Sequence, residues 1–154
     1  MAKSLNERLG LGFFILIVVG MGALIGLMIR PGEWYASLTK PPFNPPNWVF
    51  GPAWTILYIL IAIAGWKMWT ADGLSGPQMK IWYGQMMLNW LWTPVFFGLH
   101  AMAFGLAIIL GLMAVILYFL LRTRDAVARI CFVPYALWVA FASTLNVSLL
   151  VLNS

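Results

Sequence analysis

The run WYASLTKPPFNPPNWVFGPAWTILY, from Trp34 to Tyr58, opens in a proline-rich segment and ends in an apolar helix, with no charged residue after Lys40. Aromatic side chains are thereby carried from an aqueous boundary into a membrane-spanning segment without a break. Pro31, Pro41, Pro42, Pro45 and Pro46 lack a backbone donor and hold their neighbours extended, so this part is a stiff, shaped loop and cannot be helix throughout. Trp34, Tyr35, Phe43 and Trp48 give it too much apolar surface to leave in water. Two readings account for these aromatics: a belt lying against the headgroups, which also covers Trp66, Trp69 and Trp82, or a lid over a pocket.

Composition places the whole chain in the same setting. Of 154 residues, 63% are hydrophobic and 8% charged, against roughly 25% charged in a soluble domain. Apolar runs of about 20 residues suffice to cross a hydrocarbon core of about 30 Å. They fall at Leu9 to Ile29, Trp48 to Trp69, Gln78 to Leu99, Ala101 to Leu121 and Arg129 to Leu152. The runs are continuous and do not alternate, which predicts helices and not barrel strands. The expected fold is therefore all-α, an integral membrane bundle of five transmembrane helices. The first run is longer than a signal-peptide core and has no small-x-small cleavage site leading into soluble sequence, so it reads as a permanent helix. With no internal repeat, residues 1–154 form one domain, and residues 30–47 form its extracytoplasmic lid. Five helices also do not divide into the two equal inverted halves of a repeat-built carrier.

Basic residues set the orientation. Lys3, Arg8, Lys67, Lys80, Arg122, Arg124 and Arg129 fall on one side of the membrane, and only Arg30 and Lys40 on the other. The N-terminus is thus expected in the cytoplasm of a bacterial inner membrane, with the outer membrane left open. The net charge of +5 is a topology signal with attraction for anionic lipid, and no basic patch suits nucleic acid. Cys131 stands alone, so neither an internal disulfide nor a thiolate metal cluster is expected. His100, the single histidine, falls in a tight turn, and no metal or cofactor is expected. Glu7, Glu33, Asp72 and Asp125 all lie outside the spans, which argues against a proton-coupled pump.

Helical spacing gathers aromatics and amides onto three faces. Trp54 and Tyr58 share one face of the second span; Gln85, Asn89, Trp92 and Phe96 recur along the third; Tyr135, Trp138, Ala142 and Asn146 do so on the fifth. A mid-membrane amide such as Asn89 should point into the bundle. Interhelical hydrogen bonding alone would explain Asn89 and Asn146. Alternatively, the tryptophans surround a flat ligand in space opened by helix bends at Pro94 and Pro134.

The residues Trp34-Tyr35, Leu38, Lys40-Pro41, Pro45-Pro46, Trp48, Phe50, Trp54-Thr55 and Leu57-Tyr58 resemble the first-loop signature of the translocator protein family, also called tryptophan-rich sensory proteins or peripheral-type benzodiazepine receptors. Asn89 with LWTPVFFG through Gly98 is similar to the third helix of that family. Pro134-Tyr135, Leu137-Trp138, Ala142 and Leu145-Asn146 are similar to its fifth. The resemblance implies a five-helix bundle, usually a homodimer, that binds porphyrins such as protoporphyrin IX, sterols and synthetic benzodiazepine-type or isoquinoline ligands, with the first loop covering the pocket. The positions it implies are Trp54, Asn89, Trp138 and Ala142, with Trp34 and Tyr35 from the lid. Some members are reported to degrade protoporphyrin in light, which would make Trp54 and Trp138 the reactive indoles.

Two departures bear on this. Phe43 stands where many members carry tryptophan, and Asn146 to Ser154 holds neither the tyrosine nor the basic residue of the animal sterol pattern. The expected role is a membrane-embedded binding or sensory protein for tetrapyrroles and similar planar hydrophobic ligands, with sterol binding in doubt. Translocation of such compounds and light-dependent porphyrin degradation are the alternatives. Gly22 and Gly26 form a GxxxG pair available for a dimer or for packing within one bundle.

Overall fold

The structure, a computed structural model, describes residues 2–154, with side chains from Leu5 onward; Lys3, counted above toward orientation, lies outside the described side chains. Its helices are α1 (Ala2–Met28), α2 (Glu33–Ser37), α3 (Asn47–Asp72), α4 (Pro77–Thr93), α5 (Met102–Arg122) and α6 (Ala126–Leu152), and α4 runs on through a π-helical turn at Pro94–Gly98. No strand occurs among the described residues. Four stretches, Leu5–Met28, Asn47–Asp72, Met102–Arg122 and Ala126–Leu152, are long and apolar enough to cross a membrane. The chain is an α-helical, multi-pass membrane bundle. Among the five runs read from the sequence, α4 is the exception, since it has only 17 residues and carries Gln78, Lys80, Gln85 and Asn89.

Chain chemistry sets the helix ends. Gly73 terminates α3 with φ +71°, a left-handed conformation that favours glycine, and its N–H bonds back to Trp69 O at 2.9 Å. Pro77 opens α4, where its missing donor costs nothing. Asp125 caps α6 by accepting from the Ala128 N–H at 2.9 Å, and it pairs with Lys67 at 3.2 Å, tying α6 to α3. At Pro94 the ring removes an N–H from the ladder, and the backbone widens so that the Leu99 N–H reaches Pro94 O at 2.9 Å. His100 follows with φ +55°, the one non-glycine residue of positive φ among those described.

In the packed bundle α3 lies between α1 and α6, while α5 joins α6 to α4; α4 touches α1 only sparsely. Phe119 and Phe132 stack at 4.0 Å where α5 meets α6. Gly65 lets the Trp82 indole lie directly on α3, where its Nε1 donates to Ile61 O at 2.9 Å. Trp82 is therefore core and not part of an interfacial belt; it is only 5% exposed. Trp66 and Trp69 are half-buried: the first bonds through its Nε1 to Glu7 O and the second packs against Phe14, so each has one side on the bundle. Trp48 does face outward as a belt residue would.

Candidate functional site

A cavity of about 520 Å³ occupies the half of the bundle nearest α2. Helix α3 supplies Phe50, Trp54 and Tyr58; α6 supplies Trp138, Ala142 and Asn146; α4 and its π turn supply Trp92 and Phe96; α1 supplies Gly22, Ala23 and Gly26. Pro31 and Tyr35 form the roof. The aromatic side chains meet edge to face: Trp54 and Trp138 lie 6.3 Å apart at 86°, and Phe50 meets Trp138 at 6.0 Å and 73°. Trp54 lies 5.5 Å from Tyr58, and Trp92 stacks on Phe96 at 5.1 Å.

No Asp, Glu, Lys, Arg or His lines this space. Its polarity comes from a few fixed groups. Asn146 accepts from Trp92 Nε1 at 3.2 Å and donates to Met102 O at 3.0 Å, so both ends of its amide are held. Tyr58 donates to Asn89 Oδ1 at 3.1 Å, leaving its ring as wall. Trp138 Nε1 is buried without a hydrogen-bond partner, a donor whose burial unpaired costs about 1–3 kcal/mol. A flat apolar body matches these walls.

The roof is tied down at several points. The Thr39 N–H donates to Asn153 Oδ1 at 2.9 Å, and Asn153 Nδ2 returns a bond to Thr39 O at 2.9 Å. Lys40 Nζ bonds Tyr35 O at 2.7 Å, with Ala36 O and Leu38 O each at 3.3 Å, which satisfies the carbonyl end of α2. Tyr35 points inward, donates to Asn44 Oδ1 at 3.3 Å and meets Phe97 edge to face. Burial raises its phenol pKa above the ordinary value, against the lowering effect of the Asn44 bond.

Residues 13–152 match the TspO/MBR family. The chain belongs to the TspO/MBR family. It is 37% identical to the tryptophan-rich sensory protein of Cereibacter sphaeroides, with 97% of this chain and 95% of that one covered. It is 42% identical to the tryptophan-rich protein TspO of Archaeoglobus fulgidus (79% and 80% covered), and 34% identical to the translocator protein of Homo sapiens (82% and 80% covered).

In this TspO/MBR chain the positions read from the sequence divide into two groups. Tyr35, Trp54, Tyr58, Trp92, Phe96, Trp138, Ala142 and Asn146 converge on the cavity. Trp34, Asn89 and Tyr135 do not line it. Trp34 turns away to stack on His100 at 4.3 Å and 11°, with its edge on Phe96. Asn89 and Tyr135 lie behind Tyr58, where Asn89 Nδ2 donates to the Tyr135 hydroxyl at 2.7 Å and Tyr135 donates to Gln85 Oε1 at 2.8 Å. That is the interhelical hydrogen-bonding arrangement, placed directly under the cavity wall. The face contributed by α1 was not foreseen as wall. Its only signal was the Gly22/Gly26 pair, and Gly22 is occupied within the chain, since a Cβ there would lie 2.2 Å from the Tyr58 ring.

Proposed function

We propose that this protein is a membrane-embedded binding and sensory protein for tetrapyrroles, with protoporphyrin IX as the representative ligand. The observation that carries this reading is a cavity walled by Trp54, Tyr58, Trp92 and Trp138 and free of formal charge. It suits a planar aromatic macrocycle better than a charged metabolite. The names of its relatives, sensory in one case and translocator in another, fit the same class. In this reading α4 and its π turn form a fifth spanning segment, residues 77–98, the N-terminus is cytoplasmic, and residues 30–47 are a lid on the outer face. Titration of the purified protein with protoporphyrin IX, followed by tryptophan fluorescence, tests it. Saturable quenching that weakens in Trp138→Ala is expected, and its absence removes the assignment.

A second reading, light-dependent consumption of bound porphyrin, is favoured by two indoles sharing one cavity, Trp54 and Trp138 at 6.3 Å. Illumination of the complex with product analysis decides it: Trp54→Phe and Trp138→Phe should slow porphyrin loss, and an unchanged rate excludes indole participation.

A further inference from the structure

Toward the aqueous face the cavity is roofed by buried Tyr35, with exposed Pro31 and Asn47 at its rim, and it also reaches the surface at its side. Above it, the two reciprocal bonds between Thr39 and Asn153, each 2.9 Å, pin the loop to the end of α6, and Tyr35 fills the roof. The lateral wall between α1 and α3 is built differently. At Gly22 the two helices touch, because the Tyr58 ring occupies the space a Cβ would need. From there toward the lid, Ala23 and Gly26 on α1 and Gly51 and Thr55 on α3 line the cavity and are also exposed. Nothing lies within 4 Å of where a Cβ would sit on Gly26 or Gly51. The Thr55 hydroxyl folds back onto Gly51 O at 2.8 Å, so it offers no free donor to this gap.

The gap is thus framed by small side chains, with the Gly22–Tyr58 contact as its sill. Gly22 lies six residues before the end of α1 at Met28, roughly 9 Å at ~1.5 Å per residue, which puts the gap within the leaflet on the side of the lid. Its inner end leads to the Trp138 side chain in the cavity wall. No carboxylate, Lys, Arg or His lines the cavity, so a charge carried through the gap would be desolvated without a counterion.

We propose that the gap between Gly22–Gly26 of α1 and Gly51–Thr55 of α3 is a lateral portal that admits bilayer-dissolved ligands, uncharged over the part that enters, while the latched loop stays shut. This rests on the reading of the cavity as a ligand site and names its substrate class: compounds that partition into the membrane and keep any anionic end at the headgroups.

A thiol-access measurement tests the portal without any porphyrin. Ala142 lies in the cavity wall, and Cys131 is the only native cysteine. The full-length Cys131→Ser/Ala142→Cys protein, in liposomes, is labelled with pyrene maleimide dissolved in the bilayer. Gly26→Trp should slow labelling by about tenfold, whereas Asn153→Ala, which releases the loop, should change it by less than about twofold. Thr55→Phe obstructs the same gap from α3 and should slow labelling in the same way, so a poorly folded Gly26→Trp protein does not decide the matter. Unchanged labelling in Thr55→Phe, or tenfold faster labelling in Asn153→Ala, would overturn the portal. Failure of porphyrin to quench would remove the proposed ligand and leave this result standing. Labelling through the loop would remove the portal and leave the porphyrin reading intact.

Discussion

Asn89 Nδ2 donates to the Tyr135 hydroxyl at 2.7 Å, and through it α4 is joined to α6 behind the cavity wall. Tyr58 on α3 enters the same chain from the other side, and Gln85 ends it. Replacing Tyr135 by Phe strands both the Asn89 amide and Gln85 Oε1. Each buried orphan costs about 1–3 kcal/mol in a protein interior, and measured membrane hydrogen bonds fall toward the lower end of that range. Tyr135→Phe should therefore lower thermal stability in detergent by about 1–2 kcal/mol, and Tyr58→Phe by about half as much, because it strands only Asn89 Oδ1. Equal stability of Tyr135→Phe and the unmodified protein would show that the chain contributes nothing.

Gly65 is a packing glycine on the same helix as Tyr58. A Cβ at this position would sit 2.5 Å from Trp82 Cε2, and the indole cannot retreat without giving up its bond to Ile61 O. Gly65→Ala should destabilise by about 1–3 kcal/mol, as overpacking does. The same change at Gly12, whose Cβ would meet nothing within 4 Å, should be neutral or slightly stabilising through helix propensity. Thermal unfolding of the two variants side by side is the measurement. Matching transitions would mean that Trp82 adapts freely.

Local periodicity made much of this site legible. Trp54 and Tyr58, or Trp138 and Ala142, are four residues apart and share a face wherever the segment is helical. Their convergence followed from burying polar and aromatic faces together. Relationships between distant positions could not be read in this way. Thr39 and Asn153 are 114 residues apart, and neither type announces a partner. The family resemblance puts Trp34 in the lid beside Tyr35, but adjacent residues on a one-turn helix point in different directions, and His100 supplies Trp34 with a stacking surface outside the cavity. Asn89 was correctly directed inward. Its bonds to Tyr58 and Tyr135 consume the amide, which is why it lies behind the wall and not in it. The Gly22/Gly26 pair reads the same for dimer contact, for packing on a ring and for a gap; only the position of Tyr58 separates these.

Asp125 gives a pH-dependent contribution whose sign is fixed by its surroundings. Partial burial pushes its carboxyl pKa up, but the Ala128 N–H, Lys67 and the Val127 backbone more than offset this, so the net shift is downward. A carboxylate with a lowered folded-state pKa stabilises the fold fully above its unfolded value of about 3.9, and the benefit is lost as pH falls through the folded value. Unfolding of Asp125→Asn and the unmodified protein should therefore differ by a constant amount at neutral pH and converge below about pH 4. A gap that persists at lower pH would assign the effect to capping geometry alone.

Ala142 separates the volume of the cavity from its chemistry. It is 7% exposed and faces the cavity, with Trp138 one turn before it and Asn146 one turn after. A large side chain there projects into open space and not into packed neighbours, so the fold should tolerate it while the ligand should not. Ala142→Phe is expected to weaken protoporphyrin IX binding by at least about tenfold, equivalent to about 1.4 kcal/mol. Thermal stability should hold or rise as apolar surface is buried. Trp34→Ala, which removes an aromatic outside the wall, should change affinity by less than about threefold, well under 1 kcal/mol. Fluorescence titrations of the three proteins, each checked for a thermal transition no lower than that of the unmodified protein, make the comparison. Equal affinities for Ala142→Phe and the unmodified protein would place the ligand elsewhere in the bundle. A larger loss in Trp34→Ala than in Ala142→Phe would move the site to the outside of the loop, where Trp34 stacks on His100.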